Sequence, residues 1–251
     1  MLTTIIKTRN CENRLYECLE SVKKSNEIIV VDEHSTDDTI KIANEYKAKV
    51  VYSNKNELSF ILNQTAKEAE NDWILFIYDN ETITKELFLS ILSYIEKPKR
   101  NKNALTLPQK LIYLNKEIKS QRNKKVLRVF RKDSCEFKDD NSGQIVLKNG
   151  KLHKFNKGFN PKKGFILNHK KAMLEEISEV LEKNWLKVKN SENKGCSIFF
   201  KPLFKFLYLY IWNLGILDGR GGYIYSLQQA IDYFNYECSV LERKERAEND
   251  L

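Results

Sequence analysis

Two short stretches of this 251-residue chain carry apolar runs straight into acids: VVDEHSTDD (30–38) and FIYDNE (76–81). Carboxylate and amide oxygens gathered in this way are hard donors. They suit a divalent cation such as Mg²⁺ or Mn²⁺ set against a phosphate-bearing substrate. Asp79, Asn80 and Glu81 are the candidate metal ligands, with Tyr78 immediately ahead of them. Asn80 would bring a carbonyl oxygen but no charge. A plainer reading stands beside this one. Asp32 and Asp37 also fit a strand-end turn and a helix cap, and Asp79 and Glu81 also fit a solvated loop before a helix starting near Thr84.

The elements around these stretches decide whether they can meet. Runs 3–8, 26–33, 48–54 and 72–79 read as strands, and 12–25, 35–47, 57–71 and 84–97 as helices. Leu15, Cys18, Leu19 and Val22 repeat at helical spacing, and Ser35 or Thr36 can cap the second helix. Strand and helix alternating in this way predict a parallel sheet with helices on both faces. In such sheets ligands bind beyond the carboxyl ends of the strands, so both acidic clusters can face one crevice. After residue 103 the pattern changes. Runs 104–115, 125–133 and 143–155 look like antiparallel strands, and LKNGKL predicts a hairpin because Asn-Gly suits a type I′ turn. Arg128 and Arg131 alternate with Val129 and Phe130, which fits either a phosphate contact or surface charge. A charged amphipathic helix is predicted over 168–192. Two aromatic helices follow, joined by a glycine turn that contains Asp218, Gly219 and Gly222.

Composition narrows the partners. There are 43 Lys and Arg against 34 Asp and Glu, a formal charge of +9. That balance favours an anionic partner: nucleic acid, a membrane face or a phosphorylated substrate. No zinc finger or aromatic RNA-binding motif accompanies it, which argues against nucleic acid. Five cysteines without a CxxC speak against a disulfide framework or a zinc site and suit a reducing compartment. The start, MLTTIIKTRN, is too short and polar for a signal peptide. FKFLYLYIWNLGIL (204–217) is too short to span a bilayer and carries Lys205 and Asn213. It is expected to pack in a core or to lie on a membrane surface.

Four stretches carry a resemblance: TTIIKTRNCENRLYECLESV (3–22), NEIIVVDEHSTDDT (26–39), NDWILFIYDNETITKEL (71–87) and KPLFKFLYLYIWNLGILDGRGGYIYSLQQAIDYFNY (201–236). Together they resemble the GT-A glycosyltransferases of family 2, especially bacterial glycosyltransferases of lipopolysaccharide core assembly. The resemblance implies an α/β fold, a GT-A (Rossmann-like) mixed sheet flanked by helices, with a C-terminal helical extension. Residues 1–103 would form the nucleotide-sugar half, 104–195 the acceptor half and 196–251 the extension. The implied reaction moves a hexose from a nucleotide-diphosphate sugar, a UDP-hexose, to a lipopolysaccharide or lipooligosaccharide core acceptor, with inversion. Thr8, Asn10, Asp32, Asn63 and Asp79 would bind the donor. Asp79, Asn80 and Glu81 would hold Mg²⁺ or Mn²⁺. The implied partners are the donor, a lipid-linked saccharide acceptor and an anionic membrane surface, not nucleic acid. The implied location is cytoplasmic, peripheral on the inner face of the membrane.

The chain departs from the family pattern at three places. Tyr78-Asp79-Asn80-Glu81 stands where Asp-x-Asp-Glu is usual. Leu62 stands where a basic residue often precedes Asn63. Gly143 and Gln144 fall where His-Glu is usual, which leaves Asp139 and Asp140 as the nearest acids for a catalytic base. His169 falls where the family tends to have a histidine. The alternative reading is a relative that keeps the fold with impaired catalysis and acts as a binding or partner protein.

Overall fold

The computed structural model describes residues 1–97, 102–113, 116–118, 125–139, 143–148, 151–154, 165–168 and 197–249. The chain divides into two compact units, Met1–Lys110 with Asn123–Asn168 and Leu111–Arg122 with His169–Leu251.

The first unit is built on a mixed sheet. Strands β1 (Leu2–Thr8), β2 (Glu27–Asp32), β3 (Lys49–Tyr52) and β4 (Trp73–Tyr78) are parallel, in the order β3-β2-β1-β4. They alternate with α1 (Glu12–Val22), α2 (Thr39–Glu45), α3 (Leu58–Glu68) and α4 (Lys85–Glu96). The sheet continues from β4 through β8 (Lys125–Arg131), which is antiparallel to both β4 and β6 (Lys102–Tyr113). Beyond β6 lie β12 (Phe165–Asn168) and then β5 (Glu81–Thr82), with β11 (Lys151–Lys154) parallel to part of β6. β9 (Cys135–Phe137) and β10 (Ile145–Leu147) form a separate two-stranded ribbon.

The burial explains why these runs become strands. Successive side chains of a strand point to opposite faces, and both faces are covered. Ile5, Ile29, Val31, Ile74 and Phe76 join Leu58, Leu62 and Ala66 of α3 and Phe137 of β9 in one core cluster. Ile6, Val30 and Ile77, on the other face, are equally buried, as are Leu15 and Leu19 of α1 and Leu87 and Ile91 of α4. A parallel sheet buried on both faces reads in sequence as unbroken apolar runs rather than as alternation. Truncating one such side chain, Leu62 for example, costs about 2–5 kcal/mol through lost transfer energy and the cavity left behind.

Two local expectations are corrected. The second helix begins at Thr39, not near Ser35. Ser35 and Thr36 are drawn instead into bonds with the loop after β1, while Asp37 accepts both from the Thr39 amide at the start of α2 and from the Glu12 amide. The Asn-Gly hairpin does not form as predicted: β10 pairs with β9, whereas β11 pairs in parallel with β6. The arms on either side of Asn-Gly therefore serve different sheets. The helix predicted over 168–192, and His169 with it, lies outside the described residues.

In the second unit, β7 (Lys116–Glu117) pairs with the end of β6 at Ile112 and Tyr113. Helix α5 (Ser197–Leu207) runs into a π-helical turn (Tyr208–Trp212) and a 3₁₀ turn (Gly215–Asp218), then α6 (Gly219–Asn249). Asp218, Gly219 and Gly222 thus sit at the junction of two helices, as predicted. A Cβ at Gly222 would stand 1.9 Å from the carbonyl oxygen of Gly215, so only glycine permits this crossing. The rings of Phe206, Tyr210 and Tyr223 meet across the seam at centroid distances of 5.4–5.7 Å. Lys201 reaches the buried Glu237 at 3.2 Å. No helix among the described residues is long and apolar enough to cross a membrane.

Candidate active site

The carboxyl ends of β2, β1 and β4 lie side by side. Thr8 is level with Asp32 on one side, and Lys7 with Tyr78 on the other. Two strand spacings separate the Asp32 and Asp79 strands, about 10 Å. Both acidic clusters therefore open on one edge of the sheet, in the first unit.

Asp32 is fully buried. Thr8 Oγ1 donates to its Oδ1 at 2.9 Å, the Ser35 amide to its Oδ2 at 2.7 Å, and Ser35 Oγ to Oδ1 at 2.5 Å. Asn10 takes a positive φ of 44°. Its amide donates to Ser35 Oγ at 2.8 Å, and its Oδ1 accepts from the Thr36 amide at 2.9 Å. One step on, the Cys11 amide donates to Thr39 Oγ1 at 2.8 Å and the Glu12 amide to Asp37 Oδ2 at 3.1 Å. The loops after β1 and β2 are thus laced together, and this lacing delays α2. Asn63 faces another way: its amide group makes two bonds to the backbone of Phe137, at 2.9 and 3.0 Å.

The second cluster is an arrangement of buried ion pairs. The Asp79 amide bonds Lys7 O at 3.1 Å, which fixes the turn to the end of β1. Arg14, from the first turn of α1, donates to Asp79 Oδ2 at 3.0 Å. Glu81 is completely buried. Its Oε1 accepts from Arg128 at 2.8 Å and its Oε2 from the Tyr78 amide at 3.0 Å. Burial pushes the Glu81 carboxyl above its ordinary value, while Arg128 and the Tyr78 amide pull against that rise. The Arg128 guanidinium also lies over the rings of Tyr78 and Phe76, 4.8 and 5.7 Å from their centroids. The Asn80 side chain is buried, and its Oδ1 has no hydrogen-bond partner. A buried, unpaired carbonyl oxygen is costly and invites a ligand. Among the described residues there is no group of three His, Cys, Asp or Glu able to hold a metal. Asp79 and Asn80 remain as a two-oxygen edge, whereas both oxygens of Glu81 are engaged.

The loop 138–144 adjoins this edge. The Lys138 amide closes it on Gln144 O at 2.8 Å, and Ser59 Oγ donates to Lys138 O at 2.7 Å. Gly143, at φ 68°, lies against the Tyr78 hydroxyl. Asp139 is exposed on this loop, and Asp140 lies outside the described residues. His34 is exposed and stacks on Tyr52 at 5.7 Å. Cys11 and Cys18 are buried, and burial together with the Asp79 charge pushes both thiols up, which disfavours the reactive thiolate.

Sequence reasoning missed Arg14 and the pair of half-buried Lys7 with buried Glu33 at 3.3 Å. Arg14 lies beside the buried stripe of α1, a position from which a long side chain reaches the sheet edge. Of the two β8 arginines, Arg128 serves the cluster. Arg131 sits at the opposite end of the sheet, 3.8 Å from Asp72.

The sequence matches the family described as Glycosyl transferase family 2 over residues 3–159. It is 39% identical over 89 residues to an uncharacterised glycosyltransferase of Rickettsia typhi, a stretch that makes up 34% of this chain and 30% of that protein. It is 28% identical over 107 residues to the poly(ribitol-phosphate) β-N-acetylglucosaminyltransferase TarS of Staphylococcus aureus, covering 38% of this chain and 19% of that protein. The matching stretch thus spans less than a third of these relatives. A crystal structure of S. aureus TarS aligns over 92% of this chain and 49% of its own, at 16% identity and TM-score 0.48.

Proposed function

The chain belongs to glycosyl transferase family 2, and from that premise we propose that it moves a hexose from a UDP-sugar to a hydroxyl of a lipid-linked core saccharide. The observation that carries the proposal is the single sheet edge shared by the Asp32 loop and the Asp79-Asn80 turn. This edge lies beyond the strand ends where α/β folds bind ligands. The rigid lacing of Asp32, Thr8, Asn10 and Ser35 suits a preformed floor for the nucleoside.

A divalent cation fits the residues present. Asp79 offers a carboxylate and Asn80 an orphaned carbonyl oxygen. Mg²⁺ sites typically use one or two protein oxygens and complete their shell with substrate phosphates and water. Bound there, the cation would supply charge to the diphosphate leaving group. Arg14, at the same edge, adds a second positive charge. In the reaction the acceptor oxygen bonds to the anomeric carbon as the bond to UDP breaks. The acceptor proton passes to a carboxylate, for which Asp139 or Asp140 is the proposed base.

A second reading has its own observation. Asp79 and Glu81 are already neutralised by Arg14 and Arg128, as expected of a relative that binds sugar without turning it over. The test is UDP release, followed by NMR, from a panel of UDP-hexoses with Mn²⁺. Catalysis predicts consumption of one donor, slowed by Asp139→Asn or Asp140→Asn. Donor binding without consumption supports the binding-only reading. No binding and no consumption contradicts both.

A further inference from the structure

We propose that the helical hairpin of the second unit docks on an anionic lipid surface through an apolar face that its own packing leaves uncovered. Along α5 and the π-helical turn, Phe200, Leu203, Phe204, Tyr208, Ile211 and Trp212 are exposed. Their spacing of three and four residues puts them on one stripe. The opposite stripe, with Pro202, Phe206, Leu209 and Tyr210, is the one that meets α6. The element is therefore apolar on both sides, and among the described residues only one side has a partner. The stripe runs on into the turn, where Leu214, Ile216 and Leu217 are exposed; Trp212 is 76% exposed and Leu217 70%. So many adjacent large apolar side chains mark an interaction surface rather than ordinary scatter.

Charge and residue type select the occupant. Lys201 is taken up by Glu237 of α6, which leaves Lys205 and Arg220 against Asp218 beside the stripe, a net +1. Lys205 and Arg220 are exposed beside the apolar stripe. A two-fold contact with a second copy would bring these like charges together. An anionic headgroup layer neutralises them while the aromatic rings enter the interface, where Trp and Tyr are favoured.

The test is cosedimentation of the purified full chain with phosphatidylcholine vesicles, with and without phosphatidylglycerol. The expected result is binding that requires phosphatidylglycerol and weakens as salt is added. Trp212→Glu with Leu217→Glu should lower the partitioning at least about tenfold, and Lys205→Ala with Arg220→Ala about 25-fold, since each basic residue contributes roughly fivefold. The variants are compared at matched helical signal and melting temperature. No binding to either vesicle overturns the proposal, as does binding that neither variant weakens. A lipid-free dimer broken by Trp212→Glu with Leu217→Glu would assign the face to a second copy and also overturn it. Because no nucleotide sugar is present, the outcome is separate from that of the donor proposal.

Discussion

The hydroxyl of Tyr78 lies over Gly143, so closely that a Cβ on residue 143 would stand 2.6 Å from it. The two positions come from distant parts of the sequence, the last residue of β4 and the residues just before β10. Each departs from the family pattern, and in space they are neighbours: a large side chain at one goes with no side chain at the other. Gly143→Ala meets both the hydroxyl and a positive φ, and should cost about 1–3 kcal/mol. Tyr78→Phe removes the hydroxyl and leaves the next atoms at 3.4 Å. The double variant should therefore be less destabilised than the sum of the singles, which urea unfolding of all four proteins will measure.

Glu81 and Arg128 form the buried pair beneath this contact. Glu81→Ala leaves a buried guanidinium without its carboxylate and should cost about 3–5 kcal/mol. Glu81→Met with Arg128→Met removes both charges and should recover most of that loss. Thermal melts of the two variants check this.

The same carboxyl gives stability a pH dependence. Burial raises Glu81 above its unfolded value of 4.5, so the folded chain holds this proton more tightly than the unfolded chain does. The contribution is fully present below the unfolded value and is lost as pH rises through the raised folded value. Wild type should lose stability over that interval relative to Glu81→Gln, whose side chain does not titrate. Denaturant midpoints across mildly acidic pH test the difference.

Asn63 makes two bonds to the Phe137 backbone and acts as a strut between α3 and β9. Asn63→Ala should cost about 1–3 kcal/mol by stranding that amide and carbonyl. It should also speed hydrogen exchange at Phe137. Unchanged exchange with weakened UDP affinity would instead favour a direct donor contact.

Much of the first unit was legible because its physics is local. Apolar runs such as IIVVD and WILFIY could only be buried strands, and each ended at the acids now found on one edge. What stayed hidden depended on distant partners. Ser35 looks like a helix cap until Asn10 competes for it, and Asp37 divides its oxygens between Thr39 of α2 and Glu12. Asn-Gly looks like a hairpin until β9 and β6 each claim one arm. Arg14 gives no signal in sequence, because its role depends on how α1 lies against the end of β4.

The most direct test of the account is calorimetric titration of the purified chain with UDP, with and without Mn²⁺, repeated on Asp79→Ala and Asn80→Ala. The account predicts binding that Mn²⁺ strengthens and that both substitutions weaken. UDP binding indifferent to Mn²⁺ and to both substitutions would contradict the role given to Asp79 and Asn80. No binding under any condition would contradict the UDP-donor reading itself.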